Sequence, residues 1–207
     1  MAQLVLPLGA RQALGRADFV VAEPNREAVA FIESWPRWPQ PAAALHGPPG
    51  SGKSHLAAIW AARAKARIVE GETLSDADTA VPLVIENAER APEPALFAAL
   101  ENGTALLLTS SAPPAEWKAS LPDLASRFRA LLAFALWAPD DDLLSALARK
   151  LFADRQLQVS DSVIAEMLKQ SERSPAAIRS FVARLDETAL AQKRAVTPAL
   201  VRSLLAG

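Results

Sequence analysis

The sequence contains no cysteine and only two histidines, His46 and His55. Without cysteine there is no disulfide framework, no thiol nucleophile and no thiolate zinc site, and a reducing cytoplasm is the expected compartment. Two histidines flanking one glycine-rich turn are too few for a multi-histidine metal centre and poorly placed for a Ser-His-Asp hydrolase. Positive charge is not in excess either: 22 Lys and Arg stand against 23 Asp and Glu, a net charge of -1. The chain therefore lacks the field that binding to a phosphate backbone requires, and direct DNA binding is not expected. Long apolar runs are also missing. The stretch Ala130 to Ala138 falls far short of the roughly 20 residues that cross a bilayer. The N-terminus opens Met1-Ala2-Gln3, and its apolar run is broken by Pro7 and ended by Gly9-Ala10-Arg11, which is not a secretory signal. No membrane partner is expected.

What remains is ordinary globular composition, 207 residues with 51% hydrophobic and 22% charged, long enough for one core and a small second domain. Proline divides it: of 16 prolines, only Pro175 and Pro198 follow Pro139. Before Pro139, short apolar runs at Ala42 to His46, Arg67 to Glu70, Leu83 to Glu86, Ala105 to Thr109 and Leu131 to Phe134 alternate with helical stretches. That alternation predicts an α/β unit with a parallel sheet and crossover helices. After Pro139, amphipathic stretches at Asp141 to Ala153, Ser160 to Lys169, Pro175 to Gln192 and Thr197 to Leu205 predict a small all-α lid. The expected division is an arm at 1–18, an α/β domain at 19–138 and the helical lid at 139–207.

Gly47-Pro48-Pro49-Gly50-Ser51-Gly52-Lys53-Ser54 has the spacing of a phosphate-binding loop, glycine, four residues, then Gly-Lys-Ser. It follows an apolar run and opens a helical one, His55 to Ala66, which is the context that the chemistry needs. The glycines let consecutive amides face a phosphate, Lys53 supplies a point charge, and the Ser54 hydroxyl can ligate Mg²⁺. Both prolines precede the amides that matter. His46 and His55 read as structural residues at the two ends of this loop.

A phosphate-loop ATPase next needs an acid at the end of a neighbouring strand, and Leu83-Val84-Ile85-Glu86-Asn87 supplies Glu86 as the metal candidate. Asn87 cannot take a proton where a general base is common, and Glu89 is the nearest replacement. Slow intrinsic hydrolysis is expected. The run Ala105 to Thr109 leads into Ser110-Ser111-Ala112-Pro113-Pro114, whose polar side chains can reach a terminal phosphate. Leu121 to Arg129 places Arg127 and Arg129 near the end of a short helix, and Arg173 precedes Ser174-Pro175 at a helix start, with Arg179 as the fallback cation. Gln3-Leu4-Val5-Leu6-Pro7-Leu8 sets a glutamine and three leucines on the N-terminal arm, apolar residues that need somewhere to dock.

In this order, over nearly the whole chain, these motifs resemble the AAA+ module of the bacterial replication initiator DnaA, and most of all the initiator's homologous regulators. Several assignments follow from the resemblance alone. Gln3, Leu4, Leu6, Pro7 and Leu8 are similar to the family's sliding-clamp-binding peptide. Phe19-Val20-Val21-Ala22-Glu23-Pro24-Asn25 resembles the segment that cups adenine, which implies Phe19, Val20, Val21 and Asn25 as base contacts. Ala125-Ser126-Arg127-Phe128 resembles the box that carries an arginine finger acting in trans. Aligning Arg184-Leu185-Asp186 places Arg173 at the lid sensor arginine, and Ser111 falls at the strand-end sensor. A full initiator would continue beyond Gly207 into a DNA-binding helix-turn-helix.

The sequence departs from the family at Thr109-Ser110-Ser111-Ala112, which lacks the sensor carboxylate, and at Glu86-Asn87, which replaces an aspartate-led pair. Both weaken turnover and leave nucleotide binding intact. The resemblance thus implies an ADP- or ATP-binding, Mg²⁺-dependent regulator. It would dock on the DNA-loaded clamp at the nucleoid and promote hydrolysis of ATP held by DnaA, with a homo-oligomer as one possible form. The alternatives are a non-catalytic adaptor between clamp and partner, and a helicase-loader-type ATPase.

Overall fold

The computed structural model describes residues 15–75 and 81–205. Five strands, β1 (Ala42–His46), β2 (Arg67–Glu70), β3 (Leu83–Glu86), β4 (Leu106–Ser110) and β5 (Leu132–Ala135), form one sheet in the order β2-β3-β4-β1-β5. Every neighbouring pair is parallel, so each connection must cross a face of the sheet, and among the described residues an α-helix does so in three of the four.

Side chains of successive strand residues point to opposite faces, and the central strands are apolar at nearly every position because both faces are covered. Ala43 and Leu45 of β1, Val84 of β3 and Leu107 of β4 pack on one side against α1 (Arg26–Glu33) and α2 (Lys53–Ala64), through Val29, Ile32, Leu56 and Trp60. Ala42, Ala44, Leu83, Ile85, Leu106 and Leu108 face the other side, where α3 (Glu93–Glu101) and α4 (Pro122–Ala130) contribute Leu96, Ala99, Leu124 and Phe128. Trp60 is fully buried, and truncating a side chain of that size to alanine costs about 3–5 kcal/mol.

The remaining helices, α5 (Asp141–Asp154), α6 (Asp161–Gln170), α7 (Pro175–Ala191) and α8 (Pro198–Leu205), enclose a separate core of Leu144, Leu147, Phe152, Ile164, Met167, Phe181 and Leu185. Side chains cap the starts of α5 and α7. The Asp140 carboxylate accepts from the Leu143 amide at 2.7 Å, and the Ser174 hydroxyl from the Ala177 amide at 3.1 Å, with Pro175 in the first helical position. No helix among the described residues is long and apolar enough to cross a membrane.

β1, β2 and β3 lie where the sequence predicts them. The other two begin one residue later, for identifiable reasons. The Leu106 amide is the first in β4 to donate across the sheet, to the Pro41 carbonyl at 2.8 Å, although the Ala105 carbonyl already accepts from Leu83 at 2.9 Å, and the Leu131 amide is still closing the last turn of α4 on the Arg127 carbonyl at 3.1 Å. The second helix starts at Lys53 and not at His55, since the Leu56 amide already bonds the Gly52 carbonyl at 3.0 Å.

Candidate functional site

The loop 47–52 leaves the carboxyl end of β1 in a conformation that only glycine tolerates at its first position. Gly47 has φ +149°, and a Cβ there would meet the Leu136 carbonyl oxygen at 2.0 Å. Gly52, at φ +100°, turns the chain into α2 beneath the ring of Phe19, 3.3 Å from where a Cβ would stand. Lys53 therefore opens the helix with its ammonium folded back over the loop, donating to the carbonyls of Gly47 at 2.7 Å and Pro48 at 2.9 Å. Burial lowers its pKa, opposed by the carboxylates of Glu89 and Glu86.

Next along the helix, the Ser54 hydroxyl donates to Glu86 Oε2 at 2.7 Å, across from the end of β3. A hydroxyl and a carboxylate oxygen side by side, partly open to solvent, are a fitting donor pair for Mg²⁺, which binds through one or two protein oxygens plus water and phosphate. These two residues would hold the ion. No group of three or more potential ligands from His, Asp and Glu occurs among the described residues.

Around these groups lies a cavity of about 360 Å³, bordered by Gly50, Lys53, Ser54, His55, Glu86, Asn87, Thr109, Ser111, Pro175 and Arg179. Its position, outside the carboxyl ends of parallel strands, is where α/β sheets bind ligands, and its size falls in the range of small-molecule sites.

No protein-family model matches the sequence, and no curated protein matches it. Solved structures do resemble the fold. Domain III of the Thermotoga maritima replication initiation protein DnaA superposes with a TM-score of 0.73 at 16% identity, over 93% of this chain and 95% of that one. A replication initiator DnaA bound to AMPPCP and single-stranded DNA gives 0.70 at 16% identity, over 86% and 67%. The Thermotoga maritima RuvB Holliday junction branch migration motor gives 0.64 at 20% identity, over 78% and 60%. The chain shares the fold of these domains, a five-stranded parallel sheet flanked by helices.

Within this frame the residues singled out by sequence separate into groups. Gly50, Gly52, Lys53, Ser54, Glu86 and Ser111 border the cavity together. Gly47 and Ser51 are buried behind the loop and Pro48 is exposed, while Pro49 borders the cavity. Ser111 is engaged by Glu89, whose Oε1 accepts from its amide at 2.9 Å and its hydroxyl at 2.7 Å. The Asn87 side chain reaches sideways to Glu70 at 3.0 Å.

The expected base-cupping segment flanks the cavity and does not line it. Phe19 is buried edge-on to the His55 ring, with centroids 5.1 Å apart, and Val20 packs against the helical core. Val21 is 42% exposed. Asn25 is buried and clasps its own loop, its side chain accepting from the Ala22 amide and donating to the Val20 carbonyl, both at 3.0 Å.

Arg173 does not reach the cavity. It lies ahead of the helix cap Ser174 and forms an ion pair with Asp141 at 2.6 Å on the surface. The lid arginine that borders the cavity is Arg179, one turn inside α7. Because Pro175 fixes the helix start and Ile178 and Val182 face the core, a side chain at 179 lies on the flank of that buried stripe. Arg127 is likewise outside the cavity, on α4. Gln3, Leu4, Leu6, Pro7 and Leu8 lie outside the described residues.

His55 is the residue sequence reading underrates. It is buried at 6% exposure and borders the cavity. Burial lowers its pKa, with Gly15 and Asp18 opposing and Arg179 reinforcing the shift. His46 is also lowered by burial, opposed by Glu116 and reinforced by Lys53.

Proposed function

We propose that this chain is a DnaA-related regulator of the Hda type, which holds ADP or ATP with Mg²⁺ in its own cavity and acts on ATP held by DnaA. Residues 19–138 would form the nucleotide-binding unit and 139–207 its lid. Lys53 and the amides of the loop would hold the phosphates, and Arg179 would meet them from the lid. Mg²⁺ between Ser54 and Glu86 would neutralise phosphate charge. With Asn87 where a base is needed and Glu89 committed to Ser111, the chain's own turnover would be slow.

The observation that carries the reading is the separation of Arg127 from this cavity. Arg127 belongs to the last turn of α4, which feeds the amino end of β5, whereas the loop 47–52 leaves the carboxyl end of β1. One strand length, roughly 15 Å, lies between the two ends of the sheet, so Arg127 is placed away from its own cavity and would act on phosphate in a neighbour's site, on release from its ion pair with Glu101. The clamp-binding peptide Gln3 to Leu8 would tether the chain to the sliding clamp on DNA, which supplies the DNA proximity that a net charge of -1 does not.

The deciding experiment measures hydrolysis of DnaA-bound ATP on clamp-loaded DNA with wild type and Arg127→Ala. Stimulation by wild type that is lost in the variant, with ADP binding retained, supports the reading. Full stimulation by an Arg127→Ala, Arg129→Ala double variant overturns the finger and leaves a passive adaptor.

A further inference from the structure

The imidazole of His55 joins three parts of the molecule that are distant in sequence. It stands in the first turn of α2, two residues past Lys53, with its Nε2 3.2 Å from the Gly15 carbonyl and its Nδ1 3.3 Å from Arg179 Nη2. A guanidinium can only donate, so Nδ1 must be the acceptor. The ring proton then resides on Nε2 and is donated to Gly15. One neutral tautomer satisfies both contacts, and the edge-on ring of Phe19 closes a third side. Arg179 donates in addition to the Asp18 carbonyl at 3.5 Å, and the Asp18 carboxylate pairs with Lys150 of α5 at 3.5 Å. The segment 15–19 therefore lies as a strap against both α2 and the helical lid.

An arginine side chain carries about 2 kcal/mol of rotamer entropy, and one left to itself at a cavity rim spreads over many positions. Arg179 is instead held from two sides, by a buried ring and by a backbone carbonyl. We propose that His55 is a positioning residue, which aims Arg179 into the cavity through Nδ1 and, through Nε2, couples that aim to the backbone at Gly15. The proposal rests on the cavity being a nucleotide site. His55 itself borders the cavity, and the role proposed for it is to position Arg179 and not to bind phosphate. Its effect on binding passes through Arg179.

Two substitutions separate the two nitrogens. In His55→Asn the amide oxygen stands near the place of Nδ1 and can accept from Arg179, but the side chain is too short to reach Gly15. In His55→Gln the amide extends toward Gly15 and leaves Arg179 without its acceptor. Calorimetric titration of the full chain with ADP and Mg²⁺ is expected to give near wild-type affinity for His55→Asn. His55→Gln should bind about tenfold more weakly, the scale of one hydrogen bond to a charged group. In an Arg179→Ala background the Gln substitution should add no further loss, because its route is already cut. A further tenfold loss in that background would overturn the proposal, as would equal affinities of the Asn and Gln variants. Trypsin cleavage after Arg16 should be faster in His55→Asn than in wild type, and equal rates would overturn the link to Gly15. Lys53→Ala separates this outcome from the wider reading: if it too binds ADP like wild type, the cavity is not a nucleotide site.

Discussion

Arg127 is ion-paired with Glu101, and its guanidinium lies over the ring of Phe97, 5.2 Å from the centroid. Glu101 and Phe97 are one helical turn apart on α3, so one face of that helix grips the arginine by charge and by stacking. The Arg127 Nε is buried and finds no hydrogen-bond partner among the described residues. A cation gripped at its far end but short of an acceptor along its stem is held in place without being fully satisfied.

That arrangement predicts opposite outcomes for the two partners. Arg127→Ala removes a half-exposed ion pair, worth under about 1 kcal/mol of stability, yet should lower stimulated hydrolysis by roughly 10³ to 10⁵ if the guanidinium meets phosphoryl charge in a partner's site. Glu101→Gln frees the same guanidinium from its counter-charge and should retain stimulation at least at the wild-type level. Unfolding midpoints in urea and single-turnover hydrolysis rates check both. If Glu101→Gln abolishes stimulation as Arg127→Ala does, the pair acts through structure and Arg127 is no finger.

Binding of ADP with Mg²⁺ should stabilise the chain by mass action, about 2.7 kcal/mol at a hundredfold excess over the dissociation constant. Lys53→Ala should lose most of that shift while its unliganded melting temperature stays near wild type, since the Lys53 ammonium donates to the loop carbonyls of Gly47 and Pro48. Differential scanning fluorimetry with and without ADP makes the comparison. An unchanged shift in Lys53→Ala would remove the loop from the binding site.

The parts legible in the sequence are those fixed by local pattern. The apolar runs at β1, β2 and β3, the glycine and lysine spacing of the loop, and the Ser174-Pro175 cap each declare their structure within a few residues. What escaped depends on packing between distant segments. Arg173 and Arg179 look alike as letters. Only the cap at Ser174 decides that the first pairs with Asp141 outside and the second borders the cavity. His55 reads as a bystander because its partners, Gly15 and Arg179, are 40 residues before it and 124 after it. Phe19, Val20, Val21 and Asn25 form a strap and clasp beside the cavity, a role their residue types alone do not distinguish from base contact.

The two histidines make stability fall on the acid side. Burial lowers both below the ordinary value of 6.5, so between that value and the folded values the unfolded chain binds more protons than the native one. Stability then rises with pH in that window. The contribution is fully present above about pH 6.5, the unfolded value, and is progressively lost as pH drops through it. Urea midpoints measured at pH 7.5 and 5.5 should show the decline, and His55→Asn should make it shallower. An unchanged slope in that variant would mean that His55 does not contribute.

The N-terminal peptide yields the last prediction. Gln3, with its amide, is suited to a polar pocket, and Leu4, Leu6 and Leu8 to an apolar groove on the clamp, with Pro7 stiffening the segment between. So short a peptide loses conformational freedom on binding, so its affinity should be micromolar at best, about -8 kcal/mol. A ring clamp offers several copies of the groove, which favours any assembly that presents more than one arm. Removing residues 1–8 leaves Gly15, Asp18 and Phe19 in place against His55 and the lid. The shortened chain should therefore keep its melting temperature and its ADP affinity while losing clamp binding in surface plasmon resonance. Clamp binding that survives the truncation would place the contact on the folded domain, and loss of ADP binding with it would show that the arm belongs to the nucleotide site.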